Sequence, residues 1–183
     1  MSSTSAPFGM RPALHPSGTV RPAMGTIATG YATTIYQNSP VLIDANGFIT
    51  AGAAAGRAIG TFQGVEYTDV NGIRRYNNRW IANTVATDIV AWYTQDQKIQ
   101  YEMQANATLT VAAMGQQYDW SALSGSDITG LSSVSLNVAS AAANAGVRVV
   151  GLYPGPDNAW GDAFPVVLVE ISEHQLVADI ASI

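Results

Sequence analysis

The side chains that could do acid–base or metal chemistry are few. Two histidines, His15 and His174, and no cysteine occur in 183 residues. The lack of cysteine removes disulfides, thiolate metal sites and thiol nucleophiles together. His15 lies in a proline-rich stretch that could not hold it within hydrogen-bond reach of a substrate, so His174 is the better candidate base. It follows Glu170 and Glu173, donors that suit a hard or borderline metal. A strand there would turn Glu170 and His174 to one face and Glu173 to the other, so His174 reads as a strand-end histidine bonded locally. Asp157 and Asp162 flank Trp160 in a Pro/Gly-rich loop whose composition could bind sugar or calcium, and Trp80, Trp92 and Trp120 add flat apolar surfaces. Each tryptophan reads first as core or interface. Thirteen acidic residues leave room for a two-carboxylate hydrolase, yet nothing singles out a pair. No G-x-S-x-G, G-x-G-x-x-G, phosphate-binding loop or H-E-x-x-H motif occurs. The expectation is no catalytic residue, no cofactor and no metal.

Charge points the same way. Lys and Arg number 8 against 13 Asp and Glu, a net charge of −5, and charged residues make up only 11% of the chain. Nucleic-acid binding needs a dense basic face, and the chain has a single lysine, Lys98. Arg74, Arg75 and Arg79 form its one basic cluster and read as salt-bridging arginines rather than a phosphate site. A charged fraction less than half the usual ~25% suits a surface largely taken up by contacts. No run of ~18 apolar residues and no signal-peptide pattern is present, so no membrane contact is expected and the protein reads as made in the cytoplasm.

The elements that would position these residues are strands. Residues 1–25 carry Pro7, Pro12, Pro16 and Pro22 with isolated apolar residues and no period, which predicts an extended N-terminal arm, disordered alone or laid against something else. Its removal should leave the remaining fold intact. Residues 26–183 read as one β-rich domain. Ile99, Tyr101 and Met103 alternate with polar neighbours, as do Val134, Leu136 and Val138, and Leu109 and Val111; each run predicts a half-buried antiparallel strand. Asn46-Gly47 and Asn71-Gly72 predict two hairpins. The β-branched runs Val147–Leu152 and Pro165–Ile171 predict strands covered on both faces or at a subunit contact, joined by a loop through Pro154–Asn158. Ala51–Gly60 is alanine-rich but broken by Gly52, Gly56 and Gly60, so a loop followed by a strand is expected. Leu176, Ile180 and Ile183 have helical spacing, while Val177 and Ala178 would suit a strand equally. The fold class is therefore mainly β, an antiparallel β-barrel or β-sandwich with an extended N-terminal arm.

The order of several short segments resembles a known family. They are Phe8-Gly9-Met10-Arg11-Pro12, Gly30-Tyr31-Ala32-Thr33, Ser39-Pro40-Val41-Leu42 and Ile59-Gly60-Thr61-Phe62-Gln63-Gly64-Val65-Glu66-Tyr67. Further along come Met114-Gly115-Gln116-Gln117-Tyr118-Asp119, Thr129-Gly130-Leu131-Ser132, Arg148-Val149-Val150-Gly151 and Val169-Glu170-Ile171-Ser172-Glu173-His174-Gln175-Leu176. Taken in order they resemble the head decoration, or cement, proteins of tailed bacteriophages. That resemblance implies a virion structural protein without catalysis, which binds the major capsid (coat) protein on the outside of the expanded shell. It also implies a homotrimer that stabilises the capsid against internal DNA pressure. On this reading the arm residues Phe8, Met10, Arg11, Pro12 and Leu14 would contact the shell, apolar anchors filling coat pockets and Arg11 pairing with a coat carboxylate. The alternatives are another phage structural component, such as a minor coat or tail protein, or a virion glycan-binding module built on the Trp160 loop.

Overall fold

The computed structural model describes residues 2–54 and 56–179. Twelve strands form two antiparallel sheets, a β-sandwich-like arrangement with no closed barrel among the described residues. The first sheet runs in the order β1 (Arg11–Leu14), β8 (Gln100–Gln104), β12 (Val166–Ile171), β11 (Val147–Leu152), β9 (Gln117–Trp120), β10 (Leu136–Ala142). The second runs β2 (Ala23–Gly25), β7 (Ala86–Tyr93), β5 (Gly60–Asp69), β3 (Pro40–Ile43), β4 (Ile49–Ala51), with β6 (Arg74–Asn77) paired to the far half of β5.

Register explains the burial. In the first sheet Met103 lies opposite Val167, while Tyr101, Val169 and Val149 form one cross-strand row and Ile171, Val147 and Tyr118 another. All of these are buried, and Met10, Ala58, Leu109 and Ala113 complete the same cluster from outside the central strands. Residues directly opposite share a face, so these rows make one continuous apolar surface. The reverse face is polar, with Arg11 opposite Glu102 and Arg148 opposite Glu170. The second sheet has its own core of Val41, Ile49, Phe62, Val65, Ala91 and Tyr93, joined by Ile35 and Trp80 from loops. The Trp80 ring meets Tyr67 edge-on at 5.8 Å.

The sheets meet at a polar seam. The Thr94 hydroxyl accepts a hydrogen bond from the Thr61 amide (2.8 Å) and lies 2.9 Å from the hydroxyl of Tyr101, a fully buried residue of the first core. Burial pushes the Tyr101 phenol above its usual range, so it stays neutral and can donate.

Both Asn-Gly hairpins form, and they share a fuller motif. Asp44-Ala45-Asn46-Gly47-Phe48 and Asp69-Val70-Asn71-Gly72-Ile73 have the same pattern: the aspartate carboxylate accepts from the amides two and four residues on, at 2.9–3.0 Å. Gly47 and Gly72 have φ of +83° and +77°, which the tight reversal requires. The Ile73 amide, more than the Arg75 guanidinium, holds the Asp69 carboxyl below its ordinary 3.8.

Several expectations need correction. Thr108–Val111 is not a strand: Val111–Ala113 forms one turn of 3-10 helix, and the Leu109 carbonyl accepts from Gly161 rather than from a ladder. Two apolar residues followed by Ala112-Ala113 offer little for a sheet to grip, and Leu109 and Ala113 turn into the core without a ladder. The strand at Ile99–Met103 forms but is not half-buried, because Glu102 and Gln104 on its polar side are buried as well. The run from Val134 joins β10 only from Leu136. Leu176 and Val177 are exposed in a turn after β12, and Ile180 and Ile183 lie outside the described residues.

The N-terminal residues account for the buried polar strand, and they are not a separate arm. They are extended, yet they lie on their own chain: β1 forms one edge of the first sheet and β2 one edge of the second. Gln104 accepts from the Ala6 amide (2.8 Å) and donates to the Thr4 carbonyl (2.9 Å). Phe164 donates its amide to the Ser2 carbonyl at 2.7 Å. A chain without its own periodicity is ordered here by polar groups on strands it crosses. Removing residues 2–25 would therefore strip an edge strand from each sheet, and the remaining fold would not be left intact.

Candidate interaction surface

The five arm residues expected to meet a partner fare differently. Met10 is completely buried, its amide bonded to the Asn38 carbonyl at 2.9 Å. It is an anchor within the chain and has no surface to offer. Gly9 makes this possible: its φ is +82°, and a side chain there would start 2.6 Å from the Asn38 carbonyl oxygen. Arg11 pairs with Glu102 of this chain, its Nε 3.0 Å from Oε2, and its guanidinium lies 4.8 Å from the centre of the Phe8 ring. Phe8 and Pro12 are half-buried, and Pro12 sits opposite Tyr101. Leu14 alone among the five apolar or basic side chains expected as anchors is exposed without a polar partner, at 52%.

The residues singled out for chemistry are largely engaged. His174 is buried; its Nε2 faces the Gln95 carbonyl at 3.0 Å and its Nδ1 accepts from the Leu176 amide at 3.2 Å, which fits a neutral ring donating from Nε2. Glu170 is held by Arg148. His15 lies 3.3 Å from Asp96, whose carboxyl is lowered chiefly by the Lys98 amide and further by His15. Among the described residues no group of three or more His, Asp or Glu could hold a metal ion. Arg74, Arg75 and Arg79 pair with Glu66, Asp69 and Asp127 at 2.7, 2.8 and 3.0 Å. In the Trp160 loop the ring packs partly buried against the first core. Asp162 is tied to the Ser2 hydroxyl and accepts from the Ala159 amide, contacts that lower its carboxyl, the Ser2 bond most. That loop closes on Ser2, and its ring is partly buried.

What the surface does present is apolar. Thirteen large hydrophobic side chains are exposed among the described residues, including Met24, Val70, Tyr76, Val85 and Ile128. Ile128 is 98% exposed, yet its loop is braced. Asp127 accepts from the Tyr36 hydroxyl (3.1 Å) and from Arg79 (3.0 Å), Asn78 donates to the Thr129 carbonyl (2.8 Å), and the Gly130 amide returns to Ser126 (2.8 Å). Burial, and then the bond to Asp127, raise the Tyr36 phenol. The loop thus holds an isoleucine in solvent on a fixed support, at a local cost that a contact surface would offset. Sequence reasoning passed over it because Ser-Asp-Ile-Thr-Gly reads simply as a polar loop.

Comparison with protein families, with curated proteins and with solved structures found no match to this chain.

Proposed function

We propose that the protein is a virion structural protein of the head decoration class, which binds the major capsid protein on the outside of an expanded phage shell as a homotrimer and stiffens it against packaged DNA. The observation that carries the reading is the pairing of a sparsely charged chain with a braced, fully exposed apolar side chain at Ile128. The ordered resemblance of its segments to that family supplies the partner. The mechanism is linkage. A protein that binds only the expanded shell stabilises that state by its binding free energy, and a trimer touching several coat subunits gains avidity because separating them breaks several contacts at once.

On this proposal the contact surface shifts from the arm as first expected. Met10 takes no part, and Leu14 on the edge strand β1, together with the Ile128 loop, takes its place. The outer edge of β1 could extend a coat sheet by strand addition, within the limit set by Pro12, which lacks an amide hydrogen. The role needs neither catalysis nor nucleic acid nor membrane.

The test is co-sedimentation of the full chain with expanded, DNA-free shells of the coat protein encoded in the same genome, with unexpanded shells as control. Saturable binding to the expanded shell alone, at a stoichiometry set by threefold positions, is expected, and Ile128→Asp should weaken it. Absence of binding to either shell would overturn the proposal.

A further inference from the structure

The outward face of the second sheet carries a feature that capsid attachment does not use. Across β6, β5 and β7, Tyr76 lies opposite Glu66, Glu66 opposite Val90, Gly64 opposite Trp92, and Trp92 opposite Met24 of β2. The register shift between Phe62 and Gly64 adds a residue, Gln63, to the strand. Between the two aromatic residues lies a shallow groove of about 360 Å³, floored by Gly64 and Val65, with Gln63, Tyr76, Asn78 and Trp92 around it. Gly64 contributes no side chain to it. Tyr76 and Trp92 stand on strands to either side of β5 and two residues apart along it, which places their backbones about 12 Å apart.

The lining has a definite chemistry. None of its residues is charged, and the nearby Arg74 and Glu66 neutralise one another at 2.7 Å. Two carboxamides keep hydrogen-bonding atoms without partners among the described residues. Gln63 donates from Nε2 to Thr61, leaving Oε1, and Asn78 donates from Nδ2 to Thr129, leaving Oδ1; Asn77 lies opposite the core residue Val65, so its side chain belongs to the other face. Tyr76 is 73% exposed and Met24, beside Trp92, 74%. Flat apolar rims with neutral donors and acceptors between them match a molecule that alternates apolar ring faces with hydroxyl groups. A peptide strand would need a row of backbone partners, and a lipid or apolar helix would leave the two amides buried and unpaired.

We infer that this groove is a binding site for a neutral oligosaccharide, with sugar ring faces on Tyr76 and Trp92 and hydroxyl groups on Gln63 and Asn78. The site is separate from the Trp160 loop, whose ring packs partly buried against the first core, and its occupancy requires no capsid.

The experiment titrates the full chain with three neutral probes: cellotetraose, maltotetraose and the tetramer of N-acetylglucosamine. Tryptophan emission and the side-chain amide signals of Gln63 and Asn78 in nitrogen–proton NMR are followed. At least one probe should give a saturable change in the millimolar range. Tyr76→Ala should weaken that binding about tenfold with an unchanged thermal midpoint, and Trp92→Phe should weaken it less than Trp92→Ala. No saturable change with any probe, or binding indifferent to Tyr76→Ala, would overturn the inference. So would a fall in sedimentation coefficient on Tyr76→Ala, which would assign this face to a second copy of the chain.

Discussion

The two sheets treat their outward faces in opposite ways. The first sheet turns a polar row outward, Glu102 and Gln104 of β8, and the chain then covers it with its own N-terminal residues. The second turns outward a face bearing Tyr76, Trp92 and Met24, and leaves Tyr76 and Met24 exposed with Trp92 half-buried between them. Burial of apolar area alone would favour the reverse arrangement. The difference teaches that the N-terminal segment is held by directed polar contacts, because it has few apolar residues to bury, while the aromatic face is kept accessible at some cost to the isolated chain. Open apolar surface on an otherwise well-packed sheet is where a partner or ligand is to be sought.

The sharpest way to break this comparison is to remove the cover. Deleting residues 2–25 takes away β1, β2 and Met10, and leaves Glu102 without Arg11 and Gln104 without Thr4 and Ala6, so the truncated chain should lose its cooperative thermal transition by circular dichroism. A truncated protein melting at the full-length midpoint would mean that the segment is dispensable and the two sheets are equally self-sufficient. A smaller effect comes from its one deep anchor: Met10→Ala should destabilise by about 3 kcal/mol, the usual scale for truncating a buried methionine, read as a shifted urea midpoint with an unchanged slope. A loss below about 1 kcal/mol would show that polar contacts hold the segment unaided.

The smallest effect belongs to the open sheet. Because its carboxyl is lowered in the folded turn, Asp69 contributes stability that is present above its ordinary 3.8 and fades as pH falls through the lower folded value. The β5–β6 hairpin, which carries Tyr76, should loosen in acid over that window. Carbon NMR of the Asp69 carboxyl should titrate below 3.8; a midpoint at or above it would remove the turn's claim to hold the aromatic face in place.

Much of this could be read along the chain. The two hairpins were legible because an Asn-Gly pair tolerates the left-handed backbone that a tight reversal needs; the aspartate two residues ahead, whose carboxylate meets amides two and four positions on, is what the structure adds. The strands at Val147–Leu152 and Pro165–Ile171 were legible because β-branched runs suit a pleated surface. The partnership of Arg74, Arg75 and Arg79 with carboxylates was likewise foreseeable from charge alone, though not which carboxylates.

What stayed out of reach depends on residues far apart in sequence. Alternation around Tyr101 shows that the two faces of β8 differ, but whether the polar face meets water or Thr4, Ala6 and Arg11 is decided nearly a hundred residues away. The same holds for Met10, whose fate as core rather than contact rests on Asn38 and Gly9 fitting together. The groove between Tyr76 and Trp92 exists only because β6 and β7 flank β5 in one register. Composition and local turn chemistry therefore establish a β protein with few charges and two hairpins, since short-range hydrogen bonds and side-chain shape suffice for those. Which faces are covered and which are left open follows from long-range pairing, whose free energy no single segment carries.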